Sequence, residues 1–261
     1  MITIFSTPKN FENIFNIIQT NAIKSWRALS SDIEIIIFGD SEGSRQISKE
    51  VGAVYVPKVK SSANGVPILP LHKKGRKFLM VGHRWDMDVN YDINFDDENN
   101  KKVFWKKADK QSVQHACTGI DYFIYRKGTF NNLPDFAIGR PGYDNWMLWH
   151  SRRRFIKLID ASSEIKIIHQ NHHFNFHNIK KDPKINFEAD GLSNIKLIGE
   201  NTLNLLDTNY KLSYGRIKKN NDPSFINRNL GKLPKIFPEI SFMLTIYKKI
   251  YRRFFHPLRK F

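Results

Sequence analysis

The fold is decided by the stretch Asp32-Ile33-Glu34-Ile35-Ile36-Ile37-Phe38-Gly39-Asp40. Its apolar centre is typical of a strand that lies inside a parallel sheet and is buried on both faces. Glycine and a carboxylate follow the apolar residues directly, so the strand ends in a turn that can present Asp40 to a ligand.

Two further units flank this strand. Residues 2–5 predict a first buried strand, and Asn10 predicts the start of a helix with one apolar stripe. Residues 44–51 predict a short helix, and residues 53–57 predict a third strand. This β-α-β-α-β order predicts a doubly wound sheet whose ligands bind beyond the carboxyl ends of its strands. Thr7, Pro8 and Asp40 are then at the binding edge.

A second stretch directs attention to the other half of the chain, Gly139-Arg140-Pro141-Gly142-Tyr143-Asp144-Asn145-Trp146-Met147-Leu148-Trp149. A glycine-rich turn leads into an apolar helix, which places Asp144 in the first helical turn, where backbone amides and the helix dipole keep it ionised. Such a carboxylate can be a structural N-cap or a catalytic group, and the sequence leaves both open.

Charge and composition limit the classes of protein to consider. The chain has 261 residues, 41% of them hydrophobic, which is ample for the core of one large α/β domain. Its net charge is +17, but residues 208–261 hold 13 Lys and Arg against 2 Asp and Glu and so contribute 11 of those charges.

Cys117 is the single cysteine and therefore has no internal disulfide partner. No apolar run reaches the ~20 residues of a membrane span, and the first residues lack a signal peptide's pattern. We therefore expect a cytoplasmic protein.

Six short motifs follow one another along the chain: Ile4-Phe5-Ser6-Thr7-Pro8, Ile35-Ile36-Ile37-Phe38-Gly39-Asp40, Phe78-Leu79-Met80-Val81-Gly82-His83-Arg84-Trp85-Asp86, Gly119-Ile120-Asp121-Tyr122-Phe123, Gly139-Arg140-Pro141-Gly142-Tyr143-Asp144-Asn145-Trp146 and Ile168-His169-Gln170-Asn171-His172. In this order they resemble nucleotide-sugar glycosyltransferases of the GT-A fold, over residues 1–69 and 78–215. The resemblance implies a Rossmann-like, mostly parallel open sheet flanked by helices, with a donor half at 1–69 and an acceptor half at 78–215.

The resemblance also implies roles for individual residues. A nucleotide-sugar donor would be bound by Thr7, Pro8 and Asp40, and Asp144 would be the general base. His169 or His172 would be near the diphosphate and a metal ion. Acceptor contacts would come from Asp121, Trp85 and Trp146, although an aspartate that follows a glycine also commonly caps a turn.

The chain departs from the GT-A pattern after the third strand. That fold normally continues with a helix and a strand ending in an Asp-x-Asp motif, which holds Mn²⁺ or Mg²⁺ against the donor diphosphate. Residues 61–77 contain two prolines and two glycines, which predicts no helix there, so one crossover unit is missing.

Asp86 and Asp88 could bind the metal ion in place of the missing Asp-x-Asp motif, although a solvated acidic loop explains them as well. Residues 89–116 predict a loop, and residues 152–154 are three arginines that could clamp a diphosphate or simply end a helix.

The last part of the chain is predicted to be an extension, residues 216–261, with a basic amphipathic helix at 239–255. Such a helix can be peripheral on an anionic membrane, or it can cover the domain's own core. Three functions stay open: sugar transfer to a glycan or lipid-linked acceptor, a non-catalytic remnant that binds acceptor or membrane, and the weaker alternative of nucleic-acid binding through the basic tail.

Overall fold

A computed structural model describes residues 2–59, 77–126, 128–130, 133–171, 189–240, 242–243 and 246. The predicted linker at 61–76, the candidate ligand His172 and most of the predicted helix at 239–255 lie outside the described residues. The described chain is α/β, with parallel and mixed open sheets flanked by helices, as in Rossmann-like proteins.

The predicted β-α-β-α-β start is confirmed. Its elements are β1 (Thr3–Ser6), α1 (Asn13–Leu29), β2 (Glu34–Phe38), α2 (Ser44–Glu50) and β3 (Val54–Val56). The strands form a parallel sheet with β2 in the centre, as its apolar sequence predicts. Ile35 and Ile37 are fully buried in a core with Ile23 and Ile47 from the helices. The helix is preceded by Glu12 at the N-cap position and not by the predicted Asn10, whose side chain instead accepts a hydrogen bond from the Glu42 amide at 3.0 Å.

A second, five-stranded sheet lies at the centre of the largest core. Its strands are β4 (Phe78–Val81), β7 (Ile124–Tyr125), β8 (Lys157–Asp160), β10 (Tyr210–Ser213) and β11 (Arg216–Lys219), and the helices that accompany them are α4 (Tyr143–Arg153), α5 (Ala189–Ile198) and α6 (Pro223–Ile236). The strand order is β11-β10-β8-β4-β7, with β4 and β8 parallel. Leu79, Val81 and Leu158 are fully buried there in one cluster with Leu148 of α4.

A third sheet is small, and among the described residues a helix covers one of its faces. It comprises β5 (Arg84–Met87), β6 (Val113–Gln114) and β9 (Ile167–Gln170), in the order β6-β5-β9. Helix α3 (Glu98–Gln111) packs on it through a core cluster that contains Met87, Phe104 and Ala108 and that Ile168 joins. The opposite face of this sheet holds the polar groups described below.

Several contacts join the first sheet and its helix α1 to the rest of the molecule. Asn21, buried in α1, donates hydrogen bonds to Gln170 Oε1 at 3.1 Å and to the Tyr91 carbonyl at 3.0 Å. The rings of Phe5 in β1 and Tyr125 in β7 meet edge to face, with centroids 6.4 Å apart. The carboxyl end of β1 therefore lies close to the second half of the chain.

Several expectations need correction. Residues 89–116 are not one loop, because α3 begins at the capping residue Asp97 and runs to Gln111. The described strands form three sheets, not one. Residues 119–125 have the sequence pattern of one strand, but only Ile124–Tyr125 pair with a neighbour, and the strand-like residues 136–138 form no more than an isolated bridge at Ala137. The β10–β11 hairpin and α6 were not predicted. No helix in the described ranges combines the length and apolar character needed to cross a bilayer.

Candidate active site

The open face of the third sheet is built by alternation along its strands. Successive side chains point to opposite faces, so Arg84 and Asp86 share the open face while Trp85 and Met87 face α3. Asp86 pairs with His169 in the register of β5 and β9, which places these two side chains next to each other. A cation, a carboxylate and an imidazole therefore meet on one small surface.

Five side chains form a continuous network on this face. His115 Nδ1 donates to Asp86 Oδ2 at 2.6 Å, and His169 Nδ1 donates to Asp121 Oδ2 at 2.6 Å. Arg84 joins the two pairs, because its Nη1 donates to Asp121 Oδ1 at 2.9 Å and its Nε lies 3.0 Å from Asp86 Oδ1. The result is two carboxylate–histidine pairs held together by one guanidinium group.

Asp121 is brought to the network by an irregular segment before β7. Its side chain is 26% exposed. Burial alone would raise the pKa of this carboxyl group, but the hydrogen bond and charge of His169 and the charge of Arg84 outweigh it and leave the pKa below its usual range. Asp121 is therefore a stable anion at neutral pH.

Asp144 lies in the first turn of α4, as predicted. The turn before it depends on Gly142, whose φ is +94° and where an added Cβ would lie 2.5 Å from Ile198 Cδ1. Asp144 Oδ1 is buried and accepts no hydrogen bond from any described residue. Burial raises the pKa of this carboxyl group, the charge of Asp121 raises it further, and nearby amides of the helix start offset only part of the effect.

Tyr143 and Tyr125 form the apolar side of the site. The Tyr143 ring packs against Phe123 with centroids 6.0 Å apart, and burial together with the charges of Asp144 and Asp121 raises the pKa of its hydroxyl. Burial raises the pKa of Tyr125 to about 12. Both hydroxyls stay protonated at neutral pH, so they can donate hydrogen bonds to an oxygen of a ligand.

A second polar group follows the carboxyl ends of β4 and β8. Asp160 Oδ1 accepts hydrogen bonds from the Ser162 amide and hydroxyl at 2.9 and 2.5 Å, and the Ser162 hydroxyl accepts from the His83 amide at 2.9 Å. The Tyr122 hydroxyl lies above Gly82, where an added Cβ would be 2.2 Å from it. Tyr122 Oη is buried without a hydrogen-bond partner among the described residues. Close packing over glycine therefore fixes the segment that carries Asp121.

The residues predicted to bind a donor lie at the carboxyl edge of the first sheet. Pro8 is buried, and its carbonyl accepts a hydrogen bond from the Ser41 hydroxyl at 2.8 Å, which links the turns after β1 and β2. Thr7 is partly exposed beside it. Asp40 is exposed and accepts a hydrogen bond from the Tyr55 hydroxyl. The predicted edge therefore exists, but its polar groups belong to the surface.

The candidate metal ligands do not converge. Asp86 faces Arg84 and His115, whereas Asp88 Oδ1 accepts a hydrogen bond from Asn171 at 2.8 Å and His169 is paired with Asp121. Within the described ranges, no three His, Cys, Asp or Glu side chains form a group that could hold a metal ion. An arginine at Asp86 does not fit a cation site, so the described side chains do not match the divalent ion that the resemblance implies.

Two of the predicted acceptor residues are elsewhere. Trp146 is 6% exposed and stacks on His150 in the core, with ring centroids 4.6 Å apart, because it faces inward on α4. Trp85 lies on the covered face of the third sheet beneath Lys166 Nζ, 4.7 Å from its ring centroid. Asp121 is the predicted acceptor residue that does lie at the candidate site.

Two of the three arginines at the end of α4 contact other residues of the chain, and the third, Arg154, is exposed. Arg152 is buried and donates to the Asp207 carbonyl and to Asn229 Oδ1, both at 2.6 Å. Arg153 pairs with Glu239. Neither is therefore available as the diphosphate clamp that the sequence suggested.

Arg84 and His115 were missed as site residues. The sequence did contain a signal for Arg84. It lies two positions before Asp86, and residues at this spacing share a face of the sheet when they lie in a strand. His115 had no comparable signal, because it reaches the site only through the pairing of β5 with β6.

Comparison with known proteins finds no family model, curated protein or solved structure that matches the chain.

Proposed function

We propose that this protein transfers a sugar from a nucleoside-diphosphate-sugar to a hydroxyl group of a glycan or lipid-linked acceptor, with Asp144 as the general base. One observation carries the proposal. The buried Oδ1 atom of Asp144 has no partner among the described residues, and its carboxyl pKa is raised by burial and by the charge of Asp121.

The two carboxylates of the site support different roles. A base is most effective when its pKa approaches the working pH, and burial of Asp144 moves its pKa in that direction. Asp121 is shifted the opposite way and stays ionised. Environments that drive two neighbouring pKa values apart are typical of acid–base sites. In the proposed reaction Asp144 removes the proton from the acceptor hydroxyl, whose oxygen then attacks the anomeric carbon while the nucleoside diphosphate leaves.

Asp121 is proposed as a positioning residue. Its two oxygens already accept hydrogen bonds from Arg84 and His169. Its charge favours the protonated form of Asp144, which makes Asp144 a stronger base. The network with Arg84 and Asp86 keeps Asp121 in place while the acceptor binds.

The test combines binding with turnover. Purified protein is titrated with uridine, guanosine and cytidine diphosphates, with and without Mn²⁺, and release of nucleotide from the matching nucleotide sugars is measured with glycan and lipid-linked acceptors. Asp144→Asn should lower turnover about 10³-fold and keep nucleotide binding. Asp96→Asn, an exposed aspartate in the loop before α3, is the matched control and should keep both. The proposal is lost if no nucleoside diphosphate binds and Asp144→Asn leaves any turnover unchanged.

A second candidate is a non-catalytic relative of such enzymes that keeps the acceptor side alone. It is favoured by the contacts of Asp40 with Tyr55 and of Asp86 with Arg84 and His115. In these contacts the chain's own side chains occupy two carboxylates that an enzyme would turn toward its donor. Saccharide binding without any nucleotide binding would support this candidate over the first.

A further inference from the structure

The β10–β11 hairpin turns through Tyr214 and Gly215. Both residues have positive φ, +50° and +66°, as two-residue hairpin turns of the I′ class require. Asparagine and glycine suit such positions, whereas a bulky side chain there is strained. Tyr214 is also 89% exposed, so packing of its ring does not offset the strain. Outliers of this kind are grounds for a functional hypothesis.

One face of the hairpin is cationic. Lys211 is paired directly with Lys218, and Ser213 with Arg216, so three positive side chains share a face. All three are exposed. The Asp222 carboxylate lies 4.0 Å from Lys211 Nζ, and Glu164 Oε1 accepts a hydrogen bond from the Tyr214 amide at 2.6 Å. Like charges in directly opposed positions destabilise a strand pair. Pairing of the two strands therefore does not explain why Lys211 is opposite Lys218.

Edge protection explains only part of the pattern. Strand β11 is the edge of its sheet, and lysines on edge strands prevent pairing with other chains. That accounts for Arg216 and Lys218, but Lys211 lies on the inner strand β10 and Tyr214 is at the tip. The aromatic tip and the charge on both strands need another cause.

Exposed aliphatic side chains occur in the same part of the chain. Ile217 is 48% exposed on β11 and alternates with Arg216 and Lys218, so it lies on the opposite face of the hairpin from the cations. Ile226 and Leu230, 46% and 54% exposed, are four residues apart on one face of α6. Aromatic rings beside lysines and arginines suit either a nucleic acid or a bilayer, but exposed isoleucine and leucine favour lipid. The excess of 13 Lys and Arg over 2 Asp and Glu in residues 208–261 gives this part of the chain the charge that complements an anionic bilayer.

We propose that the β10–β11 hairpin docks on an anionic phospholipid surface. Tyr214 lies at the level of the headgroups, where tyrosine is enriched in membrane proteins, and Lys211, Arg216 and Lys218 contact lipid phosphates. This interaction is separate from sugar transfer and holds whether or not the protein turns over a nucleotide sugar.

The test is sedimentation of the full chain with phosphatidylcholine vesicles, with and without phosphatidylserine. The variant Lys211→Gln/Arg216→Gln/Lys218→Gln should reduce binding to the anionic vesicles roughly 100-fold, since each cation near the surface contributes about 5-fold. The control Lys102→Gln/Lys106→Gln/Lys110→Gln removes the same charge from exposed positions of α3 and should reduce binding less than 10-fold.

Substitutions of Tyr214 separate docking from folding. Tyr214→Asn suits the positive φ and should raise Tm, yet it should lower vesicle binding about 5-fold. Tyr214→Trp should keep vesicle binding. Equal binding by the triple hairpin variant and the α3 control overturns the proposal, as does binding to duplex DNA without binding to anionic vesicles.

Discussion

The two halves of this molecule hold their carboxylates in different ways. In the first sheet Asp40 is exposed and pairs with one tyrosine hydroxyl. On the open face of the third sheet Asp121 is fixed by an arginine and a histidine, and Asp144 is partly buried nearby, with a buried Oδ1 atom that accepts no hydrogen bond from a described residue. Burial raises the pKa of Asp144, whereas His169 and Arg84 lower the pKa of Asp121. The electrostatics of the second half are therefore set before any ligand binds, whereas the first half would meet a ligand with surface groups.

The largest expected effect is on kcat, and it is measured by replacing one aspartate in each half with asparagine. Asp144→Asn removes the proposed base and should lower kcat about 10³-fold, within the range for loss of general base catalysis. Asp40→Asn changes a surface contact and should raise KM for the nucleotide sugar less than 10-fold while kcat is kept. Steady-state kinetics with varied donor measures both values. Similar losses of kcat in the two variants would remove the distinction between the halves.

The next effect is on stability. Asp121→Asn removes the acceptor of Arg84 Nη1 and His169 Nδ1, and we expect a loss of about 2 kcal/mol in the free energy of unfolding, between the values for exposed and buried ion pairs. Urea unfolding at neutral pH measures it. Asp88→Asn, which changes an exposed side chain bonded to Asn171, is the control and should change the free energy of unfolding by less than about 0.5 kcal/mol.

The same variant has a predicted pH dependence. The folded pKa of Asp121 is below its unfolded value, so its stabilising contribution is complete above the ordinary carboxyl pKa of about 3.9 and is lost as pH falls through the lower folded value. The gap in stability between the natural protein and Asp121→Asn should therefore be constant from pH 7 to about 5 and close below about 4. A gap that widens on acidification would contradict the assigned ion pair.

A smaller effect of opposite sign is expected at Asp144. Because its folded pKa is raised, the ionised carboxylate destabilises the folded protein at neutral pH, and this cost disappears as pH falls through the folded pKa. Asp144→Asn should therefore raise Tm at pH 7 by roughly 3 °C, the change that about 1 kcal/mol produces in a chain of this size. The gain should vanish in acid. A stabilised but inactive variant is the signature of a strained functional group, and a lower Tm would indicate a structural cap instead.

What the sequence predicts depends on whether a signal is local. The apolar runs around Ile4 and Ile36 are strong local patterns, and both strands were confirmed. Asp144 was placed correctly in the first helical turn because glycines precede it and large apolar residues follow. Helix α3 was missed because it buries only Phe104 and Ala108, so its pattern is mostly polar.

The rest of the site is non-local. The pairing of His115 with Asp86 depends on the register of β5 and β6, and that of His169 with Asp121 joins residues 48 positions apart. Neither short motifs nor periodicity encodes such contacts. The inward direction of Trp146 was also hidden, since an apolar residue after a glycine-rich turn suits a binding surface and a core equally well.

The smallest expected effect is at the exposed pair of Asp40 and Tyr55 in the first half of the chain. The Tyr55 hydroxyl donates to Asp40, and this hydrogen bond is the main reason that the pKa of Tyr55 is raised. Both groups are solvated, so water replaces the bond when Tyr55→Phe removes it, and Tm should not change measurably. If Asp40 contacts a donor, its release from Tyr55 should instead strengthen nucleotide binding a few-fold in titrations. Unchanged binding would mean that the pair belongs only to the surface of the first sheet, and a large loss of Tm would show that the first half is as tightly organised as the second.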